Sequence, residues 1–167
     1  MPGSCNISTA KRVTYALGYI ELGLLTDAAG ELAAVAEEDR SSVPVRLAWV
    51  EIHLAAGHWE PLVAVAQAVA RADPAQERAW IGWAYGQRRL TSLAEARQVL
   101  IEAVAHHGTK SALLHYNLGC YECQLGNMAM AKVRLRRAFK LGGRSMRALA
   151  LNDSDLAPMR SEIEAMP

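Results

Sequence analysis

Residues 116–143 read YNLGCYECQLGNMAMAKVRLRRAFKLGG, and they contain the clearest structural signal in the sequence. Its first part runs without a break to Gly126, a residue that commonly follows the end of a helix. Ala131, Leu135 and Ala138 then recur every three or four residues, which places them on one helix face. The glycine pair at 142–143 predicts the end of that second helix. The stretch therefore predicts two helices joined by a short turn.

Three earlier segments repeat this layout of an apolar helix, a turn and a second helix with small residues at fixed positions. The four turns fall at Gly23, Gly57, Thr91 and Gly126, so successive turns are 34, 34 and 35 residues apart. A fixed period in this range is the mark of stacked helical repeats. We therefore expect four similar helical hairpins.

The small residues at equivalent positions have a packing role. Pairs such as Ala16 with Ala28, and Gly119 with Ala131, predict close approach of the two antiparallel helices in a hairpin. Larger side chains are expected to fill the space between successive hairpins, and these are Tyr15, Trp49, Trp83 and Leu118.

The period and the pattern of residues 116–138 resemble the tetratricopeptide repeat family. The resemblance implies an all-α, right-handed superhelical solenoid of about four antiparallel helix pairs with a C-terminal capping helix. Residues 1–8 are expected to be a flexible N-terminus, 9–143 the four hairpins, and 144–167 a turn and capping helix. The expected helices are 9–22, 26–39, 44–56, 60–72, 76–90, 93–107, 111–125 and 128–141, with a last helix capped by Asn152 or Asp153 and ending near 165.

Composition narrows the class of protein. The chain is 51% hydrophobic and 21% charged, which excludes a disordered chain, and no apolar stretch is long enough to predict a membrane span. The opening residues MPGSCNISTAKR lack the apolar core of a secretion signal, so a cytoplasmic location is expected. Three cysteines are too few for a disulfide framework.

Charge is distributed unevenly. Residues 74–151 carry a net +8, between a first part of −4 and an end of −3. The densest basic cluster is Lys132, Arg134, Arg136, Arg137, Lys140, Arg144 and Arg147. A solvated surface explains it best, with an acidic protein partner as the second interpretation. Nucleic acid is not favoured as a partner, because the one aromatic residue among these basic residues, Phe139, is expected in the core and is not available for base stacking.

No catalytic arrangement is present, so we predict neither an enzyme nor a cofactor. Cys120 and Cys123 form a CxxC in the middle of a predicted helix, where packing explains them better than redox or zinc chemistry. The histidines at 53, 58, 106 and 107 have no further ligands at metal-binding spacing, so no metal site is predicted.

The resemblance implies a concave groove lined by the first helix of each hairpin. Tyrosine, arginine and amide side chains project onto it, and these residue types anchor peptides. We predict that an acidic or C-terminal segment of a partner binds there. The predicted groove residues are Arg78, Tyr85, Arg88, Arg89, Tyr116, Asn117 and Gln124.

Two functions fit this interpretation. The first is a protein–protein interaction module, part of a scaffold or an assembly factor. The alternative is a small cytosolic chaperone for a secreted or membrane-inserted client, similar in length and repeat content to those of bacterial type III secretion. A homodimer is also considered, because Val13, Leu17 and Ile20 form an apolar patch with no cap before it.

Overall fold

The structure is a computed structural model that describes residues 7–166, and every regular element in that range is helical. The all-α prediction is therefore confirmed. The residues at 1–6, most of the predicted flexible N-terminus, lie outside the described range. The α-helices are α1 Thr9–Glu21, α2 Leu25–Ala33, α3 Val43–Ala56, α4 Trp59–Ala72, α5 Glu77–Leu90, α6 Leu93–His107, α7 Ala112–Gln124, α8 Met128–Asn152 and α9 Arg160–Ala165, with 3-10 helices at Glu37–Asp39 and Ser154–Met159.

Across residues 7–166, no helix combines the length and the apolar character needed to cross a membrane.

Glycines shape three of the predicted turns. Gly23, Gly57 and Gly126 have φ values of 74°, 69° and 80°, a left-handed conformation that glycine adopts easily because it has no Cβ. The fourth turn has no left-handed residue. There the Thr91 hydroxyl and N–H both donate to the Gln87 carbonyl, at 3.0 and 2.9 Å. A threonine fits this turn because the backbone needs no positive φ.

The chain forms two compact units, and the boundary between Gly86 and Gln87 falls inside α5. In the first unit, α1 packs on α2 and α3, and α3 packs on α4. Gly82 on α5 has no room for a side chain, since a Cβ there would lie 2.8 Å from Cγ1 of Val50. The core cluster of α1, α2 and α3 consists of Ala16, Ala28, Leu32, Ala48 and Ile52.

In the second unit, α7 packs on α6 and α8, and the segment after α8 packs back on both α7 and α8. A Cβ at Gly119 would lie 2.8 Å from Cδ2 of Leu135, so the predicted close approach of this hairpin's helices is confirmed. The C-terminal segment is anchored by side chains that are almost completely buried, namely Leu156, Met159, Ile163 and Met166.

Helix α2 is shorter than predicted. It ends at Ala33 rather than near residue 39, and the acidic residues Glu37–Asp39 form a separate 3-10 helix. Three successive carboxylates at a helix C-terminus are unfavourable because the negative end of the helix dipole lies there. Arg40 closes the turn, since its Nε donates to the Val35 carbonyl at 3.1 Å.

The C-terminal region also differs. Helix α8 changes direction at Gly143, where φ is 63° and ψ is −149°, at the predicted glycine stop. Of the two predicted caps, it is Asp153 that caps the next element, by accepting from the Asp155 N–H. That element is a 3-10 helix before the short α9, because Pro158 has no N–H and its ring disfavours a continuous α-helix.

The packing prediction for Tyr15 is wrong, because this side chain is 46% exposed. Trp83 and Leu118 are buried, and Trp49 packs partly buried against the core cluster of the first unit. Tyr15 differs because it points away from α2 and α3, which cover the opposite side of α1.

Candidate functional site

Two of the predicted groove residues belong to the first unit, and each contacts a neighbouring helix there. The guanidinium of Arg78 on α5 forms an ion pair with Glu51 on α3, with Nη2 2.5 Å from Oε2. The half-buried ring of Tyr85 lies 5.9 Å from the ring of Trp59 on α4. Both side chains therefore already help to join helices of the first unit.

Arg88 belongs to the second unit, where it contacts the C-terminal segment. Its Nη1 donates to the Asp155 carboxylate at 2.8 Å. The same guanidinium lies 5.6 Å from the centre of the Tyr121 ring on α7, within the range of a cation–π contact. Arg88 thus joins the end of α5, α7 and the C-terminal segment. Its neighbour Arg89 is exposed.

Tyr116 on α7 contacts the same segment. It is only 5% exposed, and its hydroxyl donates to the Asp153 carboxylate. The Cys120 thiol donates to the same carboxylate oxygen at 3.6 Å. Burial, and then the neighbouring Asp153, raises the pKa of Cys120. Burial likewise raises the pKa of Tyr116, so both groups stay protonated and act as donors at neutral pH.

The last two predicted groove residues lie on a more open face of α7. Leu113, Asn117 and Gln124 are spaced by four and seven residues, which places them on one side of the helix. Leu113 is 38% exposed, and Gln124 is exposed. The Asn117 amide donates to the Leu113 carbonyl at 3.0 Å. This open stripe runs along the helix that also holds the C-terminal segment.

The structure therefore brings Arg88 and Tyr116 together on one acidic segment. The sequence alone did not identify Asp153 and Asp155 as their partners. A signal was present: the acidic end of the chain follows directly on its basic block, and opposite charges in a compact unit tend to pair. Whether these side chains also hold another protein stays a prediction.

A second polar cluster was missed. Glu122 on α7 is completely buried, and its carboxylate accepts from Arg97 Nε at 2.6 Å and from Asn127 Nδ2 at 2.9 Å. A buried carboxylate needs such partners because burial removes its hydration. The cluster borders an open cavity of about 590 Å³ that Met128 and Met130 also line. The sequence signal was a glutamate inside the CxxC, on an otherwise apolar helix.

The basic cluster of α8 is partly used within the chain. Lys132 Nζ lies 3.2 Å from Glu162 Oε2. Arg137 donates to the Thr109 carbonyl at 3.0 Å, and Arg147 donates to the Glu164 carbonyl at 2.6 Å. These contacts attach the loop before α7 and the C-terminal segment to α8. Other members of the cluster are exposed, namely Arg136, Lys140 and Arg144.

The two cysteines of the CxxC and His115 are buried in the second unit. Cys120 and Cys123 are free thiols and buried. His115 is 4% exposed, with Nε2 2.8 Å from the Gly108 carbonyl oxygen. Burial, and then the charges of Arg134 and Arg137, lowers the pKa of His115, while its bond to Gly108 acts in the opposite direction. Within residues 7–166, no three His, Cys, Asp or Glu side chains are grouped so as to hold a metal ion.

Comparison with known proteins gives no match for this chain, either among protein-family models or among curated proteins.

Proposed function

We propose that this chain is a protein–protein interaction module, a scaffold or assembly factor, that binds a partner in the concave groove of a tetratricopeptide-type helical array. One observation carries the proposal. Arg88 and Tyr116, two of the predicted groove residues, hold the carboxylates of Asp155 and Asp153. These side chains therefore have the chemistry that an acidic segment requires. An acidic segment of a partner is the ligand class that this chemistry favours.

The positions left accessible give the partner its contact surface. Leu113 and Gln124 are exposed on α7 and Asn117 is half-buried between them, while Arg89 is exposed at the end of α5. An aliphatic side chain, two amides and an arginine combine apolar contact with hydrogen bonding and charge. We infer that a partner segment lies along this open stripe.

The test is affinity capture from a lysate of the source cells with the full chain as bait. The groove variant carries alanine at Arg89, Asn117 and Gln124. Equal thermal unfolding temperatures of the groove variant and the wild type would verify that these substitutions leave the fold intact. The control variant carries alanine at Arg136, Lys140 and Arg144, the exposed basic residues of α8.

We expect a protein that the wild type and the α8 variant retain and the groove variant loses. A partner that all three retain equally would contradict binding at the groove. A partner lost only by the α8 variant would place the acidic-partner site on the basic cluster instead. Failure of the wild type to retain any protein would count against the interaction function.

The alternative function is a small chaperone for a secreted or membrane-inserted client, and a second observation favours it. Met128, Met130 and Val133 are 37%, 42% and 57% exposed at the start of α8. Methionine is flexible and polarisable, and it suits surfaces that accept varied apolar segments. Co-expression with a client separates the two functions, because a chaperone keeps an otherwise insoluble client in solution. Serine at the three positions should then abolish that effect.

We also propose that the chain is not an enzyme, that it uses no cofactor, and that it acts in the cytoplasm. Nucleic acid is a poor candidate partner, because Lys132, Arg137 and Arg147 are engaged within the chain. A second copy of the chain is a further candidate partner, through the exposed side of α1.

A further inference from the structure

The outer side of helix α1 is exposed and partly apolar. The opposite side packs against the core of the first unit, where Ala16 is completely buried and Val13 and Ile20 are partly buried. The homodimer patch predicted from Val13, Leu17 and Ile20 is therefore mostly used inside the chain. On the outer side, Tyr15 is 46% exposed, and Leu22, directly after the helix, is 73% exposed.

Gly18 lies at the centre of this outer side. At 100° per residue, the exposed positions of the outer side lie within about 60° of Gly18, and they are Lys11, Thr14, Tyr15, Glu21 and Leu22. We call these residues, together with Gly18, the α1 outer face.

Nothing within the described fold requires glycine at position 18. A Cβ added there would meet no atom within 4 Å, and its φ is not positive. Glycine in the middle of a helix is less stable than alanine, since it loses more backbone freedom on folding. A frequent reason for such a glycine is the close approach of another backbone or ring.

The charges on this face are self-complementary. Lys11 lies near the start of α1 and Glu21 at its end, and both are exposed. Lys11 precedes Tyr15 by four residues, and Leu22 follows Gly18 by four residues. Consider two copies of α1 packed antiparallel, with Tyr15 of one copy opposite Gly18 of the other. Lys11 of the first copy then lies opposite Leu22 of the second, next to its Glu21. Two-fold symmetry forms each contact twice.

We propose that the α1 outer face is the interface of a symmetric homodimer, in which Tyr15 of each copy fills the space beside Gly18 of the other. Lys11 of each copy pairs with Glu21 of the other. The occupant of this face is a second copy of the chain, because opposite charges lie at its two ends and a bulky ring lies beside a gap. This inference does not depend on the proposed partner-binding function, since the groove residues lie elsewhere.

The first test asks whether the dimer depends on pairing between Lys11 of one copy and Glu21 of the other. The full chain is examined by sedimentation equilibrium from about 1 to 100 μM in low salt, with a reductant present so that no disulfide contributes. We expect a reversible dimer. Lys11→Glu and Glu21→Lys each place like charges together and should raise the dissociation constant about tenfold or more. The double variant Lys11→Glu/Glu21→Lys restores opposite charges and should restore the wild-type constant.

The second test asks whether the dimer needs the free space beside Gly18. Gly18→Gln fills the gap with a good helix former and should weaken the dimer about tenfold or more. The matched control is Gly30→Gln, because Gly30 is also exposed, helical and free of neighbours within 4 Å. That variant should leave the dissociation constant unchanged, and both variants should fold.

The proposal stands if Gly18→Gln weakens the dimer and the double charge variant restores it. A chain that stays monomeric at the highest concentration overturns it. A dimer that is unaffected by Gly18→Gln, or not rescued by the charge swap, also overturns it by placing the interface elsewhere.

Discussion

The hydroxyl of Tyr116 on α7 donates a hydrogen bond to the carboxylate of Asp153, thirty-seven positions later in the chain. Asp153 in turn accepts from the Asp155 N–H at 2.8 Å and so begins the C-terminal 3-10 helix. This pair connects the fourth predicted hairpin to the segment that covers it. The bond matters for stability because Tyr116 is buried and its partner is charged.

Tyr116→Phe tests this connection. The variant keeps the ring and removes the donor to a carboxylate, so we expect a loss of about 1.5–3 kcal/mol in the free energy of unfolding. Amide hydrogen exchange of residues 153–166 should become faster than in the wild type. The control is Tyr19→Phe, since the side chain of Tyr19 is partly buried and lies outside the α1 outer face. Equal losses of stability in the two variants would contradict a specific contribution of the Tyr116–Asp153 bond to the free energy of unfolding.

Arg97→Ala tests the buried carboxylate of Glu122. The variant removes a partner 2.6 Å from a group with no exposed side-chain surface, and we expect a loss of about 3–5 kcal/mol. Urea unfolding of the wild type and the variant measures it. The double variant Arg97→Leu/Glu122→Leu removes both charges and should recover most of the loss.

The control for Arg97→Ala is Arg12→Ala, which breaks an ion pair of 2.9 Å with Glu31 where both side chains are about one-fifth exposed. Partly exposed pairs contribute about 0–1 kcal/mol, so this variant should lose little stability. Similar losses from Arg97→Ala and Arg12→Ala would contradict the inference that burial makes Glu122 dependent on its partner.

Gly86→Ala tests the tight contact between α5 and α4. The added Cβ would lie 2.7 Å from Cγ2 of Val63, and such overpacking costs about 1–3 kcal/mol. Thermal or urea unfolding measures the loss. The double variant Gly86→Ala/Val63→Ala should lose less stability than the sum of the two single variants, because the second change makes room for the first. Additive losses would show that the two residues do not meet.

The matched control for Gly86→Ala is Gly30→Ala, where the new Cβ meets nothing within 4 Å. Alanine is the better helix former, so this variant should be as stable as the wild type or more stable.

The pKa of His115 predicts a dependence of stability on pH. Burial lowers this pKa below the value of 6.5 that is expected in the unfolded chain. The unfolded state therefore binds the proton more readily, and stability should fall as the pH drops below about 6.5. His115→Gln removes the titrating ring, so its stability should fall less between pH 7 and 5. Equal falls in the two proteins, measured by urea unfolding at several pH values, would contradict this.

Local features of the sequence were sufficient to predict the helical class and most helix ends. Gly57 and Gly126 were predicted as turns because the conformation at a helix end depends on the residues nearby, and glycine alone adopts positive φ at little cost. For the same local reason the sequence predicted a cap at Asn152 or Asp153, and Asp153 is the cap. The predicted end of α2 near residue 39 is wrong, because three successive acids disfavour a helix C-terminus even where the spacing of residues suits a helix.

The helical class, the turns and the small residues at close contacts thus follow from local sequence, because each depends on neighbours within a few positions. Which helix faces are covered depends instead on tertiary packing. It exposes Tyr15, places Tyr116 beneath Asp153, and buries Glu122 against Arg97. The contacts of Tyr116 and Glu122 join residues 25 or more positions apart. Periodicity predicts which side of a helix is apolar, but it does not predict which other helix covers that side.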